Sequence, residues 1–535
     1  MGTTVAVLGE GVNGSTGSPQ AVDRRQVPRL PLCGVLGRNR CAMRHMPSAR
    51  YKPWYRRCKP LNGMFLGDPP EAGLVRGLMK RTIFAALVLL LLGLLPHGVA
   101  ARELEVFETT LANGLRVLLV EEHKAPVVTF HVWYRVGSRN EQPGRTGLAH
   151  LTEHMMFKGT LMISGQEFNL IILRNGGQDN AFTTQDYTGY YTTIAADRIH
   201  IPLELEPDRM VELLLDPDEV NRERSVVMEE RRLRTEDDPT GSLSEQLQAA
   251  AFDAHPYGNP VIGWMGDIHQ LSREDIHTFY KTYYIPNNAV LLVVGDFDRT
   301  ELLPKIHKAF GSIPRGPEPP SVRSLEPPQR SERRVILKRT DAEVPSVTAV
   351  YHVPNLTDPD NYALKVLEGI LAGGKSARLY HHLVYEKQLA LHAGAYYSRL
   401  TVDPELFYLY ASVLPGKTVA ELEQALYAEI EKLQTELVSE PELQKAKNQL
   451  EADFLFAQDS IMSLAWQLGS YEMVAGWRDW KAFLPGVRAV TREDIRQVAR
   501  KYFAPENQTV GILLPHKSET QRVEGQTGSS AGESP

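Results

Sequence analysis

Cysteine is almost missing from this 535-residue chain: Cys33, Cys41 and Cys58 are the whole complement, and all three precede residue 79. Everything downstream is therefore without a disulfide, a catalytic thiol or a cysteine-held metal. Long apolar runs are scarce too. Ile83–Leu95 is the main one, and it is short beside the roughly 20 residues that a membrane-spanning helix needs. No strong excess of one charge is present either: 59 Lys/Arg stand against 65 Asp/Glu, a net of −6, which argues against a nucleic-acid partner. The balance is nonetheless uneven. Residues 1–78 hold 12 Lys/Arg and 4 Asp/Glu, a net of +8, leaving −14 for the remainder. A 42% hydrophobic content over this length is enough for more than one globular core.

The charge step coincides with a segment of three parts. Met79-Lys80-Arg81-Thr82 is basic, Ile83–Leu95 is apolar, and Pro96-His97-Gly98-Val99-Ala100-Ala101 ends in small residues. That is the layout of a secretory signal peptide, which stands at the start of a chain. The expectation is a start at Met79, with 1–78 a mis-assigned leader and 79–101 the signal peptide. The alternative is an uncleaved anchor. The chain is then periplasmic or otherwise exported, or anchored in the inner membrane facing the periplasm, and this segment is its only membrane contact. The Ser/Gly-rich stretch at the other end, 516–535, is expected to be a disordered tail.

The most specific pattern is His150-Leu151-Thr152-Glu153-His154. Residues four apart lie one turn apart on a helix, so His150 and His154 can reach one metal ion, with Glu153 beside them. This is the His-x-x-Glu-His order, the reverse of the commoner zinc motif. A third ligand is found in the charged, helix-forming stretch Glu219–Arg232, where Glu223 and Glu230 are seven apart and share a face. Two imidazoles and Glu230, with water in the fourth place, make a zinc shell of the catalytic rather than the structural kind. Glu223 is then placed behind the ligands, orienting one of them or the helix itself. His123, His131, His200, His269 and His277 lack such spacing and are assigned structural roles.

The chain also repeats itself. At a constant offset of 219, Ser272-Arg273-Glu274-Asp275-Ile276 falls on Thr491-Arg492-Glu493-Asp494-Ile495, while Tyr283, Pro286 and Asn288 fall on Tyr502, Pro505 and Asn507. Pro126 and Thr129 fall on Pro345 and Thr348. Two related domains follow, 103–315 and 330–515, joined by a Pro-rich linker over 316–329. Strand-like runs (Leu115–Val120, Val127–Tyr134, Ala289–Gly295) alternate with helical stretches such as Thr418–Leu437, so the fold class is α+β, with helices on a mostly antiparallel sheet. Carried by 219, His150, Glu153, His154 and Glu230 become Gly369, Ala372, Gly373 and Gln449, so only the first domain is expected to hold zinc, one ion per chain.

These motifs together resemble the insulinase (pitrilysin) family of zinc metallopeptidases, in its short two-domain, processing-peptidase-like branch. The resemblance rests on Gly137–Glu141 and Gly147–Thr160 around the paired histidines, and on the Glu223/Glu230 spacing. It extends to Gly176–Thr183 with Asp186, Thr188 and Tyr190, and to the loop His255-Pro256-Tyr257-Gly258, which is left without a role. It implies a chain forming half of a clamshell and hydrolysing peptides or unfolded segments, with Glu153 as general base on a zinc-bound water. The strand around Asn180 and Ala181 would bind extended substrate by strand addition. One departure stands out. Where active members carry an Arg and a Tyr in Leu-Arg-x-x-x-x-Leu-x-Tyr, this chain has Leu383-Val384-Tyr385-Glu386-Lys387-Gln388-Leu389-Ala390-Leu391. Val384 and Leu391 replace the pair that would clamp substrate and oxyanion. A related subunit without the zinc motif, carrying that pair, is therefore expected as partner. The alternative function is a non-catalytic zinc-containing scaffold, or a peptide-binding subunit of a larger complex.

Overall fold

The computed structural model describes Leu104–His516; the expected leader, the signal peptide and all but the first residue of the expected tail lie outside the described residues. No helix among the described residues is long and apolar enough to cross a membrane.

Two mixed sheets organise the chain. The first contains β1 (Phe107–Thr110), β2 (Arg116–Glu121), β3 (Val127–Tyr134), β4 (Gln178–Thr183), β5 (Thr188–Ala195) and β6 (Ala289–Gly295), in the order β1-β2-β6-β3-β5-β4. The second contains β7 (Arg333–Arg339), β8 (Ser346–Val353), β9 (Ala390–Tyr397), β10 (Glu405–Val413) and β11 (Gln508–Pro515), in the order β7-β11-β8-β10-β9. Each has one parallel pair, β2 with β6 and β7 with β11, and is otherwise antiparallel. The α+β expectation, helices on mostly antiparallel sheets, therefore holds.

In the first half the helices that shape the site are α1 (Leu148–Met155), α2 (Pro217–Arg231), α3 (Pro239–Ala251) and α4 (Arg273–Tyr283). Their counterparts in the second are α5 (Asp360–Ala372), α7 (Glu440–Phe456), α8 (Ile461–Val474) and α9 (Arg492–Tyr502); α6 (Val419–Thr435), which precedes α7, corresponds to a first-half helix at His200–Val211. The repeat is visible in the atoms. Ser272 and Thr491 cap α4 and α9 with the same reciprocal bonds to Asp275 and Asp494. Asn288 Nδ2 donates to Tyr283 O at 2.9 Å, and Asn507 Nδ2 to Tyr502 O at 2.7 Å. β3 and β8 keep the 219 offset throughout, but α2 and α7 do not: their N-caps are Asp216 and Ser439, 223 apart. Loops of different length absorb the change. The counterpart of Glu230 is therefore Asp453 rather than Gln449, and that of Glu223 is Ala446.

Strands of the first sheet run apolar on consecutive residues because both faces are covered. Val117, Leu119, Val128, Phe130 and Val132 belong to the core beneath α1 and α4. Leu118, Val120, Trp133 and Leu292 point to the opposite face, where Leu464, Ala465 and Leu468 of α8 cover them. That helix comes from the second half. Gly469 allows the close approach, since a Cβ there would fall 2.7 Å from the Trp133 ring. Reciprocally, α3 of the first half covers the second sheet: Leu247 and Ala251 join Val350 and Leu406, and Leu243 joins Leu513. The halves thus exchange equivalent helices.

Polar ties reinforce the exchange and give the His255–Gly258 loop a place. Tyr257 Oη donates to Asp186 Oδ1 at 2.6 Å and accepts from Asp403 N at 3.1 Å, while His255 Nε2 lies 3.0 Å from Asp403 Oδ2. Arg139 pairs with Asp403 as well. This loop belongs to the seam between the halves.

Candidate metal centre

α1 begins abruptly at Gly147, whose φ of +86° and whose contact with Ile262 O leave no room for a side chain. Its free N–H groups are met by a buried carboxylate: Glu141 Oε2 accepts from Gly147 N at 2.9 Å and Oε1 from Ala149 N at 2.7 Å. Burial pushes this carboxyl up to about 8 even against those donors. The helix is thereby fixed in position, its paired histidines facing α2.

α2 brings the carboxylates. Asp216 caps it, Pro217 starts it, and Val220, Glu223, Val227 and Arg231 form its buried stripe. His150 Nε2 and His154 Nε2 lie 3.8 and 3.5 Å from the same oxygen, Glu230 Oε2. The three donor atoms fall within 4.8 Å of one another. Behind them, His154 Nδ1 is 3.1 Å from Glu223 Oε2, and Lys158 pairs with the other Glu223 oxygen. Arg234 Nη1 holds Glu230 Oε1 at 2.6 Å. Thr183 Oγ1, on β4, donates to Glu153 Oε2 at 2.5 Å.

The electrostatics sort these groups. Burial lowers His150 to about 3, keeping the imidazole neutral as a ligand must be. For His154, burial is outweighed by hydrogen bonds to Glu223 and Glu230, which raise it to about 9 in the absence of a cation. Glu230 is drawn down to about 2 by His154, His150 and Arg234, against its burial. Burial pushes Glu153 up to about 7 despite the Thr183 hydroxyl. Two imidazoles and one ionised carboxylate aimed at a common point, each with its remote atoms held by other groups except His150 Nδ1, form a donor set suited to zinc.

His150, His154, Glu230, Glu153 and Glu223 thus come together as the sequence placed them. Asn180 and Ala181 lie on β4, which is the edge strand of the first sheet and rests against α1. Asn180 Oδ1 accepts from Ala181 N at 2.9 Å. Glu141, Lys158 and Thr183 lie in stretches that carry the family resemblance but were given no role from the sequence, and Arg234 was not singled out. Only Arg234, four residues after Glu230, carried a local signal. Val384 faces inward against the second core, whereas its neighbour Tyr385 is 70% exposed and Leu391 is 44% exposed. Of the two substituted positions, Leu391 is therefore offered to solvent and Val384 is not; the exposed side chains beside Val384 are Tyr385, Glu386, Lys387 and Gln388.

A paired α+β fold with an inverted His-x-x-Glu-His helix and a glutamate on the next long helix defines a two-domain metallopeptidase-like protein. The chain belongs to the insulinase family, peptidase family M16. The insulinase (peptidase family M16) domain matches residues 116–264, and the peptidase M16 inactive domain matches 270–450. The protein named zinc protease PqqE of Helicobacter pylori is 34% identical over 412 residues, covering 76% of this chain and 92% of that protein. A solved protease from Helicobacter pylori superposes with a TM-score of 0.75 at 33% identity, covering 77% of this chain and all of that one. The periplasmic protease PqqL from Escherichia coli shares the fold at a TM-score of 0.64 and 16% identity, with 80% of this chain matching 51% of that one.

Proposed function

We propose that this chain is a zinc-dependent endopeptidase acting on peptides or unfolded segments. The observation that carries the reading is the convergence of His150, His154 and Glu230 beside a carboxylate, Glu153, that is tied to an edge strand. Zinc held by His150, His154 and Glu230 would lower the pKa of a bound water and polarise a carbonyl. Thr183 engages Glu153 Oε2, which leaves Oε1 to accept a proton from water and return it to the leaving amine. Glu223 fixes the His154 ring through Nδ1, and Arg234 keeps Glu230 from turning away. β4 offers unpaired backbone on its outer side, so a substrate joining it at Asn180 and Ala181 must be extended.

The exposed positions near the inward Val384 carry no guanidinium, so the reading includes a related partner subunit that supplies an Arg/Tyr pair. The match of this chain to about half of PqqL supports a fold that works as one of two units. A peptide-binding subunit without turnover is the second reading, favoured by that same missing pair. The Met79–Ala101 segment supports a periplasmic or otherwise exported location.

The deciding experiment compares wild type with Glu153→Gln, each with zinc and a partner carrying the pair. The variant should keep its zinc and lose turnover by about 10²- to 10⁴-fold. Near-normal hydrolysis by Glu153→Gln would rule out the general-base assignment. No hydrolysis by wild type under any pairing would favour the binding subunit.

A further inference from the structure

A second cluster of metal-ligating side chains lies far along the chain from the first. His381, His382 and Glu386 sit on Leu379–Glu386, a turn wound with five-residue rather than four-residue hydrogen bonds; Lys387 N, for example, donates to His382 O at 2.9 Å. In an ordinary helix adjacent histidines point about 100° apart and residues five apart do not align. The wider winding stacks 381 over 386, and such turns recur at functional sites. One donor atom from each of the three side chains lies within 4.8 Å of the others. His381 Nδ1 is 3.5 Å from Glu386 Oε1, a separation that two ligands of one ion can adopt.

What lies behind His382 repeats what lies behind His154. Glu429 of α6, fully hidden from solvent, places Oε2 at 2.9 Å from His382 Nδ1, and Lys432 Nζ binds its other oxygen at 2.9 Å. In the first centre Glu223 also stands against His154 Nδ1 and Lys158, there with a hydrogen bond to the ring. His382 and Glu429 instead approach as an ion pair without hydrogen-bond geometry. A carboxylate beside one ring nitrogen leaves the other nitrogen free to face an ion, and a small rotation of the His382 ring would complete the orienting hydrogen bond typical of metal-binding histidines. The cluster opens onto a cavity of about 380 Å³ that also contains Arg378, Lys432, Glu436 and Glu442. Arg378 is taken up by two bonds to Glu442. Lys432 is taken up by the buried Glu429, so Glu436 in the cavity and Glu386 beside His381 remain as carboxylates without a paired Lys or Arg among the cavity's cations, a balance that favours a positive ion.

We propose that His381, His382 and Glu386 form a second site for a divalent transition-metal ion, in the half that lacks the first centre's ligands. Two imidazoles and a carboxylate suit zinc, copper, nickel or cobalt rather than calcium or magnesium. Because the three ligands are half-exposed, the site is weaker than the first and fills at higher metal concentration. The inference does not depend on peptidase activity.

The test is zinc uptake by the purified full chain, by equilibrium dialysis at rising free zinc, for wild type, His381→Ala/His382→Ala, His154→Ala and Glu429→Gln. Wild type should bind one equivalent more than the double variant. His154→Ala should lose a different equivalent and keep the second uptake step. Glu429→Gln should shift that step to about 10- to 100-fold higher zinc. Equal stoichiometry in wild type and the double variant at every zinc concentration would overturn the proposal. So would a second step that survives in the double variant.

Discussion

The same pair of helices is put to opposite uses in the two halves. In the first, α1 and α2 meet through charge: His154 against Glu223, and both histidines against Glu230. In the second, α5 and α7 meet through small apolar groups. A Cβ on Gly369 would lie 3.5 Å from Ala446 Cβ, and Ile370, Leu371 and Leu443 fill the surrounding core. The polar pair needs remote partners such as Lys158 and Arg234 to offset its burial, while the apolar pair needs only close approach. A domain can therefore lack the ligands and keep its architecture, provided the positions in contact, such as Gly369 and Ala446, are small and apolar; the exposed Asp453 is under no such demand.

Breaking the comparison on the polar side has the largest expected effect. His154→Ala should empty the first centre and abolish hydrolysis, whereas Asp453→Ala, at the position matching Glu230, should change neither; zinc content with a peptidase assay checks both. Next is the clamp that the second half lacks. The chain alone should be slower than the chain with an Arg/Tyr-bearing partner by about a hundred- to a thousand-fold, the usual cost of a missing oxyanion donor. Equal rates with and without the partner would remove the need for one. A rescue within this chain belongs at Tyr385→Arg with Leu391→Tyr, since Val384 packs inward.

The third test exchanges the helix contact itself. Glu223→Ala should weaken zinc affinity about 10- to 100-fold, read by competition with a chelating dye. Ala446→Glu would bury an unpaired carboxylate against Gly369 and should destabilise the protein by about 3–5 kcal/mol, read by denaturant unfolding. A mild Ala446→Glu effect would mean that the apolar contact is looser than its packing implies. The smallest effect is expected at Glu141→Gln, which keeps an acceptor for one of the two N–H groups at the α1 N-terminus and sets an amide NH2 against the other. The expected loss is about 1 kcal/mol in thermal stability, the usual net worth of one hydrogen bond, with zinc stoichiometry unchanged.

What could be read from the sequence was what is local or strictly periodic. His150, Glu153 and His154 depend on one helical turn, Glu223 and Glu230 on two, and the caps at Ser272 and Thr491 on three residues. Three first-half strands, at Leu115–Val120, Val127–Tyr134 and Ala289–Gly295, were legible because their apolar runs have few helical alternatives, whereas the strands of the second half were not read. The partners that join distant segments were not. Thr183 reaches Glu153 across 30 residues; its stretch, Gly176–Thr183, carried the family resemblance, but nothing in it tied Thr183 to Glu153. Glu141 looks like an ordinary surface glutamate until the chain folds over it. A constant repeat offset also misled, because it cannot register loops of different length, so Glu230 was matched one turn away from its counterpart. His381 and His382 carried no signal at all, since adjacent residues share no face in an ordinary helix.

The exchange of α3 and α8 bears on what can be removed from this protein. Cutting the chain within the Pro-rich linker would part the backbone but not the halves, because each would still lie under a helix belonging to the other. Heat would melt them together. Deleting the half without the first centre's ligands would strip α8 from the sheet and lay bare Trp133, Leu118 and Leu292, on the face behind the strands that carry the site. The half that gave up its ligands is thus structurally indispensable to the half that kept them.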